Sequence, residues 1–466
     1  MNTPALPEGI LAVRRGPGAN CSSIGSVIDL LFASAVLAGV VYAAIAASLG
    51  DDRRATDGDS GGGGGGEAPK RDLHRRAMLT DFGAWIRDDD ATLVAVDRKT
   101  ARALGLDGGA RWQGPQPTSI EGSPPAPLEV HVSVTSKCPA TCSGCYLDAG
   151  PSGAHVDEGA LLQTLDAVAE AGAFTVAFGG GEPLTHPALA KFAAHARARG
   201  LTPVVTTSGI GLTRERAREL AAFAQVNVSY DGAASTYEEV RGFDGAHVAE
   251  RAIAMLRAEG IPVGVNVVLT RVSFGDDGAT LLHTCARAAS LGVHEVQLLR
   301  YKPQGRAASL SYLTTRLSRA QVDALPAAIT SIVDAGALSV RIDCALVSLL
   351  STSLASPTSL AALQALGVMG CEAGSALASV KVDGRVAPCS FVDASALLST
   401  SLREGWSDDA TMARFRAHPS SASAPCDDCP IRAVCRGGCK VVSAHLLGDG
   451  FAPDPECPRV ISHARA

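Results

Sequence analysis

Residues 128–146 read LEVHVSVTSKCPATCSGCY, a strand-length run followed at once by a loop that carries three cysteines. The run Leu128–Thr135 alternates apolar and polar residues, which is typical of a half-buried β-strand. Cys138, Cys142 and Cys145 then follow at spacings of four and three residues. Three thiolates on one loop can hold three irons of a four-iron cluster and leave the fourth iron open to another ligand. The stretch therefore predicts a strand whose end carries a cofactor-binding loop.

The same pattern continues downstream, where apolar runs of strand length alternate with Ala/Leu-rich helical stretches. The predicted strands are Leu128–Thr135, Thr175–Phe178, Pro203–Thr206, Val226–Ser229, Pro262–Leu269 and Val296–Leu299. The predicted helices are Glu158–Ala171, Pro187–Arg199, Thr213–Phe223, His247–Glu259 and Gly278–Leu291. Six βα repeats predict an α/β fold with a parallel sheet and outer helices, either an open doubly wound sheet or a partial (βα)6 TIM-type barrel. In a barrel, functional residues collect in the loops just after the strands.

The composition favours a large globular protein with bound metal. The chain has 466 residues, of which 46% are hydrophobic, and its formal net charge is −6. With 41 Lys and Arg against 47 Asp and Glu and no long basic run, the sequence argues against a nucleic-acid partner. Ten of its 13 cysteines fall in two spaced groups. A disulfide framework is expected in small domains that lack a core, so the close spacings favour metal or cluster ligation.

Other loops of this pattern also carry residues suited to ligand binding. Gly180 and Gly181 follow the second strand, and successive glycines let the backbone approach a ligand and expose its amides. The third strand ends in Thr206-Thr207-Ser208-Gly209, and the fourth ends in Ser229-Tyr230-Asp231-Gly232 with Arg241 further on. Taken singly, these features also fit a glycine-rich turn and a surface arginine. Their shared position after predicted strands favours a common site.

The CxxxCxxC loop and the loops after the following strands resemble those of the radical S-adenosylmethionine (radical SAM) superfamily. The resemblance implies that S-adenosylmethionine and a [4Fe-4S] cluster on Cys138, Cys142 and Cys145 are the cofactors. The residues that it implies for binding S-adenosylmethionine are Gly180, Gly181, Glu182, Pro183, Ser208, Ser229 and Arg241. Two positions depart from the family pattern, because Ser208 stands where Asn is usual and Gly144 stands where an aromatic residue is usual. Asn266 and the loop Arg300–Arg306 match the family's general run.

The second cysteine group resembles the SPASM domain, which holds auxiliary iron–sulfur clusters in radical SAM peptide maturases. Its seven cysteines are Cys371, Cys389, Cys426, Cys429, Cys435, Cys439 and Cys457. The resemblance implies one cluster on Cys371, Cys389 and Cys439, and another on Cys426, Cys429, Cys435 and Cys457. Our hypothesis is that the first of these clusters has an open iron. The alternative is that Cys344, 27 residues before Cys371, folds back as a fourth ligand.

The resemblance implies a radical SAM enzyme that generates a 5′-deoxyadenosyl radical. That radical abstracts hydrogen from a ribosomal precursor peptide or a protein side chain, which is then crosslinked or oxidised. An electron donor of the flavodoxin or ferredoxin type is the other implied partner. A sulfatase-type maturase that oxidises Cys or Ser to formylglycine is one alternative, and it needs a general acid or base such as Asp231 or Asp343. An iron–sulfur electron-transfer or scaffold protein is the non-enzyme alternative, and no catalytic residue is assigned.

The N-terminal region is less regular. Residues 30–49 are uncharged and long enough to span a bilayer. Three interpretations stay open: a single anchor with the enzyme domain on the cytoplasmic side, a buried or partner-binding helix, and a fused peptide-like segment that includes Cys21. Gly61–Gly66 predicts a flexible tether that isolates what precedes it. Asp81–Gly105 predicts a hairpin followed by a helical turn, which either packs at a domain edge or accepts a peptide at its open edge.

These observations predict a cytoplasmic protein with five consecutive regions, since the cysteine groups need a reducing compartment. They are an N-terminal apolar segment plus Gly-rich linker (1–76), a short hairpin extension (77–126), a radical SAM barrel (127–310), bridging helices (311–365) and a SPASM auxiliary-cluster domain (366–466).

Overall fold

The computed structural model describes residues 10–15, 76–87, 92–117, 124–354, 368–392 and 399–465. The chain divides into two compact units, one of residues 1–122 with 365–367, and one of residues 123–364 with 368–466. Within the described ranges, no helix is long and apolar enough to cross a membrane. The predictions for residues 30–49, Cys21 and the tether Gly61–Gly66 lie outside the described residues.

The first unit is built on a four-stranded antiparallel sheet with the strand order β1-β4-β3-β2. Its strands are Ile10–Arg15 (β1), Ala77–Leu79 (β2), Gly83–Arg87 (β3) and Thr92–Asp97 (β4). Helix α1 (Arg98–Ala103) begins at Asp97, whose carboxylate accepts a hydrogen bond from the Thr100 amide at 2.7 Å. A short 3-10 helix, Gly109–Trp112, follows. The Trp112 indole packs in the core of this unit and donates to the Thr80 carbonyl at 2.7 Å.

The predicted hairpin is confirmed as β3 and β4, with α1 after it. The prediction that this hairpin has an open edge is wrong, because β2 pairs with β3 and β1 pairs with β4. The strand β1 also comes from the region before the glycine tether, so the tether does not isolate everything that precedes it. Neither pairing was visible in the sequence, since sheet order depends on contacts between distant segments.

The second unit is built on a nine-stranded sheet with the order β11-β10-β9-β8-β7-β6-β5-β12-β13. Its strands are Glu129–Thr135 (β5), Thr175–Gly180 (β6), Thr202–Thr207 (β7), Gln225–Ser229 (β8), Val263–Leu269 (β9), Glu295–Arg300 (β10), Ser339–Ile342 (β11), Leu377–Val380 (β12) and Val386–Ala387 (β13). All neighbouring strands are parallel except β12 and β13. The six predicted strands are therefore confirmed as β5 to β10, in chain order.

Helices follow most of these strands. In this unit they are Glu158–Ala171 (α2), Leu189–Ala198 (α3), Arg214–Glu219 (α4), Ala234–Arg241 (α5), Ala246–Ala258 (α6), Arg271–Phe274 (α7), Ala279–Ser290 (α8), Tyr312–Thr315 (α9), Arg319–Asp334 (α10), Leu402–Ser407 (α11), Ala410–Ala417 (α12), Arg432–Cys435 (α13), Lys440–Leu447 (α14) and Pro458–His463 (α15). The first of them shows local control of its ends. The Asp157 carboxylate caps α2, and Gly172 ends it with a φ of 98°, which glycine adopts without strain.

The core lies between the sheet and these helices. On α6 the buried residues recur every three or four positions, and they include Ala249, Ile253 and Leu256. Every residue of β8 is buried, as expected for a central strand covered on both faces. Because the strands are parallel, their carboxyl ends meet at one edge of the sheet, where the loops after β5 to β10 collect.

The region 311–365 contains more than the predicted bridging helices. It holds α9 and α10, but also the four-residue strand β11 and the 3-10 helix Cys344–Leu350. The pattern missed β11 because the strand is short and contains the charged Arg341. The predicted C-terminal hairpin is confirmed as β12 and β13. Since β12 pairs with β5, the cysteine-rich module extends the main sheet.

Candidate functional site

A cavity of about 1250 Å³ opens at the carboxyl edge of the sheet. It is lined by loops that follow β5, β6, β7, β8 and β10, by Asn266 on β9 and by Phe391. The predicted site residues that line it are Cys138, Cys142, Cys145, Gly180, Gly181, Glu182, Ser208, Ser229 and Arg241. Pro183 is outside this lining and is buried at the start of the 3-10 helix Pro183–Thr185. Nine of the ten residues predicted from the first four loops therefore share one cavity.

The Arg306 side chain fixes the cysteine loop (Cys138–Tyr146) and the residues after it through hydrogen bonds to backbone carbonyls. The Arg306 guanidinium donates to the carbonyl oxygens of Cys142 at 2.9 Å and Ala149 at 3.0 Å. All three cysteines are half-buried, and burial raises the pKa of the Cys138 thiol to about 11. Burial also raises the pKa of Cys142, in spite of the nearby Arg241. Thiolates gathered in this way need a compensating positive charge, which bound iron supplies.

The glycines of the next loop allow a close backbone approach. Gly180 has a φ of 122°, and a Cβ atom there would lie 2.3 Å from the Thr135 carbonyl oxygen. A Cβ at Gly181 would lie 2.2 Å from the Lys137 carbonyl oxygen. The Gly181 amide instead donates to the Thr135 carbonyl at 2.7 Å. Only glycine fits at these positions, and the loop stays close to the cysteine loop.

Glu182 connects two loops of the cavity wall. Its carboxylate is buried and accepts hydrogen bonds from the Leu184 amide, the Thr207 hydroxyl, and both the amide and the hydroxyl of Ser208. Burial raises the pKa of Glu182, and the Ser208 hydroxyl lowers it. Four donors fill the lone-pair positions of a carboxylate. In this structure Glu182 therefore fixes the loops, and Ser208 acts on the cavity through it.

Arg241 is held at the cavity by a buried carboxylate. Its Nε donates to Asp231 Oδ2 at 2.5 Å, and the other Asp231 oxygen accepts from the Val268 amide at 2.7 Å. Burial alone would lower the pKa of Arg241, but Asp231 outweighs it and raises that pKa. The charged guanidinium is thus fixed beside the cavity, where Ser229 also lies.

Asn266 carries an unpartnered polar atom into this cavity. Its Nδ2 donates to the Thr206 hydroxyl at 3.3 Å, and only 5% of the residue is exposed. Its Oδ1 has no hydrogen-bond partner among the described residues. A buried acceptor without a donor costs free energy, so the cavity suits a ligand that donates a hydrogen bond at this point. In the sequence, Asn266 is only weakly marked as a site residue.

Residues 132–281, which run from β5 into α8, match the sequence model of the radical SAM superfamily. This part of the chain is therefore a radical SAM domain. Enzymes of this superfamily use S-adenosylmethionine and a [4Fe-4S] cluster, and the match contains the cysteine loop and every loop from β6 to β9.

Proteins similar to this chain include named enzymes. The PqqA peptide cyclase of Methylocella silvestris is 27% identical over 350 residues, which are 71% of this chain and 87% of the relative. The AdoMet-dependent heme synthase of Nitratidesulfovibrio vulgaris is 26% identical over 363 residues, 74% of this chain and 95% of the relative. The crystal structure of Streptococcus suis SuiB bound to the precursor peptide SuiA has a TM-score of 0.64 at 14% identity and covers 83% of this chain and 99% of SuiB. That likeness shows the fold.

The second auxiliary set (Cys426, Cys429, Cys435, Cys457) lines one cavity of about 300 Å³ in the C-terminal module. These are the four cysteines that the SPASM resemblance places together. Ser351 also lines the cavity, and its hydroxyl lies 3.3 Å from Cys457 Sγ. Cys439 lies elsewhere, in an apolar cluster with Ala345 and Phe391.

A further thiol, Cys344, lies near the cysteines that the SPASM resemblance implies for the first auxiliary cluster (Cys371, Cys389 and Cys439). Cys344 lies within electrostatic range of Cys371 and Cys439, and Cys389 lies within range of Cys371. Burial and the neighbouring Asp343 raise the pKa of Cys344. The chain reaches this position because β11 leads directly into the 3-10 helix that begins at Cys344. This placement is compatible with the alternative in which Cys344 is a fourth ligand, and both ligand sets stay predictions.

Aromatic residues complete the cavity wall in a way that the sequence did not reveal. A Cβ atom at Gly144 would lie 2.9 Å from the Tyr301 ring, so Tyr301 occupies the space beside this glycine. Tyr146 stacks on Phe391 with ring centroids 4.4 Å apart, and Lys302 Nζ lies 4.1 Å from the Phe391 centroid.

Within the described ranges, no three Cys, His, Asp or Glu side chains converge closely enough to hold one metal ion.

Proposed function

We propose that this protein is a radical SAM enzyme that crosslinks or oxidises a ribosomally made peptide or a protein side chain. The observation that carries the proposal is the cavity at the carboxyl edge of the sheet. There the cysteine loop, the glycine loop, the anchored Arg241 and the unpartnered Asn266 Oδ1 face the same space. This lining offers thiols for iron, and backbone amides and polar side chains for the amino-acid and nucleoside parts of S-adenosylmethionine.

The residue assignments form part of the proposal. Cys138, Cys142 and Cys145 hold the [4Fe-4S] cluster, with one iron left for S-adenosylmethionine. The residues that position S-adenosylmethionine are Gly180, Gly181, Ser208, Ser229, Arg241 and Asn266. Glu182 and Pro183 belong to the same set because they stabilise the conformation of the glycine loop. Their support is the shared cavity lining, and for Pro183 its place directly after the glycine loop.

When bound, the cluster and S-adenosylmethionine supply a 5′-deoxyadenosyl radical, which removes a hydrogen atom from the substrate. The chain's own residues hold and shield this chemistry. Asp231 orients Arg241 through a 2.5 Å hydrogen bond, and Glu182 fixes two loops relative to each other. The Tyr146–Phe391 stack and Tyr301 present apolar surface at the cavity, which excludes water from a reactive radical.

Auxiliary clusters in the C-terminal module are the second part of the proposal. The first auxiliary set (Cys344, Cys371, Cys389, Cys439) and the second auxiliary set each supply four thiols, as a four-cysteine cluster requires. Support for the second set is its common 300 Å³ cavity, and support for the first is the proximity of Cys344 to Cys371 and Cys439. Closed sets of this kind suit electron transfer.

A peptide substrate is supported by the relatives. The PqqA peptide cyclase matches over 71% of this chain, and SuiB shares its fold and binds the precursor peptide SuiA. An electron donor of the flavodoxin or ferredoxin type and a cytoplasmic location belong to the same proposal, because the clusters must be reduced and kept from oxidation.

The sulfatase-type alternative is less well supported. It needs a free general acid or base, and both candidates are paired with cations: Asp231 with Arg241 and Asp343 with Lys302. Neither aspartate lines the main cavity. The scaffold alternative does not account for the glycine loop or for Arg241.

Anaerobic turnover tests the proposal. The full-length protein is reconstituted with iron and sulfide, reduced with dithionite and supplied with S-adenosylmethionine. Formation of 5′-deoxyadenosine is expected, and the Cys142→Ala variant should abolish it. Absence of 5′-deoxyadenosine from the wild-type protein, with its clusters present by absorbance, would favour the scaffold. Candidate peptides from neighbouring small reading frames are then examined by mass spectrometry for lost hydrogens.

A further inference from the structure

Arg300, which ends β10, and the next two residues contact neighbours of all three cysteine groups, since Asp454, the partner of Arg300, also lines the cavity of the second auxiliary set. Arg300 is buried and donates to Asp454 at 2.6 and 3.0 Å, and Asp454 also accepts from the Cys439 amide at 3.0 Å. Tyr301 lies against Gly144 in the cysteine loop. Lys302 forms an ion pair with Asp343. A single short segment therefore connects the barrel's cluster loop with the auxiliary sets.

Lys302 is the residue of this segment that lies between the cavity and the first auxiliary set. Both it and Asp343 are 8% exposed, and Asp343 directly precedes Cys344. The Lys302 ammonium also lies 4.1 Å from the ring centroid of Phe391, which is two residues after Cys389. The charge is thus fixed on both sides by neighbours of predicted ligands.

The buried Lys302 cation interacts electrostatically with any cluster that the four thiols of the first auxiliary set hold. The Arg300 and Lys302 cations both lie within electrostatic range of Cys439, one of these thiols. Net charge and burial are among the properties that set the reduction potential of an iron–sulfur cluster. Reduction adds a negative charge, which a nearby cation stabilises and a nearby anion destabilises.

We propose that Lys302 is a positioning residue whose charge raises the reduction potential of the first auxiliary cluster and thereby makes that cluster a better electron acceptor. The inference rests on the proposed assignment of Cys344, Cys371, Cys389 and Cys439 as its ligands. Asp343 has the opposite effect, because its negative charge lowers the reduction potential of the cluster. The positive charge of Lys302 offsets that effect. The pair therefore fixes the potential by a balance of two charges.

Charge variants of the pair separate this role from a merely structural one. In Lys302→Met the unbalanced Asp343 carboxylate remains, so the midpoint potential should fall. In Asp343→Asn the unbalanced ammonium remains, so the potential should rise. The double variant carries neither charge and should return towards the wild-type value. Lys302→Arg keeps the charge, and Lys191→Met removes a surface lysine that pairs only with Glu158 in a 2.5 Å contact, so both should stay near wild type.

The measurement is a redox titration of the full-length, anaerobically reconstituted protein, followed by electron paramagnetic resonance. The expected order of midpoint potentials is Asp343→Asn above wild type, and Lys302→Met below it. Equal potentials in wild type, Lys302→Met and Asp343→Asn would overturn the inference. If Lys302→Met loses its clusters, Asp343→Asn against wild type decides. A wild-type protein with iron for the barrel cluster alone would instead refute the proposed auxiliary clusters.

Discussion

The Ser208 hydroxyl and amide both donate to the same oxygen of Glu182, at 2.5 Å and 2.8 Å. This contact joins the loop after β7 to the loop after β6 and closes one wall of the main cavity. Ser208, which departs from the family pattern, therefore stabilises the charge of the buried Glu182 carboxylate.

Removing that hydroxyl should weaken cofactor binding. A hydrogen bond to a charged group contributes about 1.5–3 kcal/mol. If most of this energy holds the loop in its binding geometry, Ser208→Ala should lower the affinity for S-adenosylmethionine about tenfold or more. Anaerobic calorimetry measures the affinity, and Ser152→Ala in an exposed turn is the control. Equal affinities in both variants would contradict the role of Ser208.

Asn266 should matter for binding and not for folding. Its Oδ1 has no partner among the described residues, so Asn266→Leu removes an unsatisfied acceptor from the protein without ligand. Without S-adenosylmethionine, the melting temperature should therefore stay the same or rise. With S-adenosylmethionine, the stabilisation by the ligand should shrink, because the stability gained on binding increases with the logarithm of the affinity. An undiminished ligand-induced shift would show that Asn266 does not touch the cofactor.

Gly144 and Tyr301 should behave as an energetically coupled pair. Gly144→Ala places a Cβ atom 2.9 Å from the Tyr301 ring, which should destabilise the protein by about 1–3 kcal/mol. Tyr301→Leu in the same chain frees that space, so the double variant should lose less stability than the two single effects add up to. Chemical unfolding measures the cycle. Gly150→Ala, where no atom lies within 4 Å of the added Cβ, is the control; strict additivity would refute the contact.

Cys344 and Cys285 should differ in their effect on iron content. Cys344 lies close to two cysteines of the first auxiliary set, whereas the Cys285 thiol on α8 is buried with no cysteine acting on its pKa. Cys344→Ala should lower the iron per chain or change the auxiliary-cluster spectrum, and Cys285→Ala should do neither. Iron analysis and electron paramagnetic resonance provide the comparison. A Cys344→Ala protein with wild-type iron and spectrum would favour the open-iron hypothesis.

The Arg300–Asp454 pair predicts a particular pH dependence. Burial would raise the pKa of Asp454, but Arg300 holds it below its usual range. A depressed pKa means that the pair stabilises the fold at neutral pH and that this contribution is lost as the pH falls through the pKa of the unfolded state, about 3.9, and below.

In Arg300→Met the sign reverses. The buried carboxylate then loses its cation, its folded pKa rises, and stability falls as the pH increases towards neutral. Breaking a buried pair costs about 3–5 kcal/mol, so the gap between wild type and variant should approach this size at pH 7.5 and be smaller at pH 5. Thermal unfolding at both pH values measures it. A gap that does not grow with pH would refute the assignment of Asp454.

The regular part of the fold was predictable because its pattern is local. Strands β5 to β10 are marked by apolar runs, and α2 by Asp157 and Gly172 at its two ends. The predicted residues of the main cavity could be identified for a related reason. They lie at or after the ends of parallel strands, and the carboxyl ends of such strands share one edge.

Other features depended on pairings between distant segments. The addition of β1 to β4 and of β12 to β5 joins residues that no local pattern connects. The same is true of Tyr301 beside Gly144, and of Cys344 beside Cys371. Each of these contacts joins segments that lie far apart in the chain, so no local pattern reveals it.

Short stretches of sequence were enough to predict the six βα repeats, the spacing of the thiols and the chemistry that these imply, because periodicity and ligand spacing are local properties. Three features emerged only in the fold: Ser208 holds Glu182, Asn266 Oδ1 has no partner among the described residues, and Lys302 lies between the main cavity and the first auxiliary set. The physical reason is that burial, and with it the strength of a charge or the cost of a missing hydrogen bond, exists only once distant segments exclude water together.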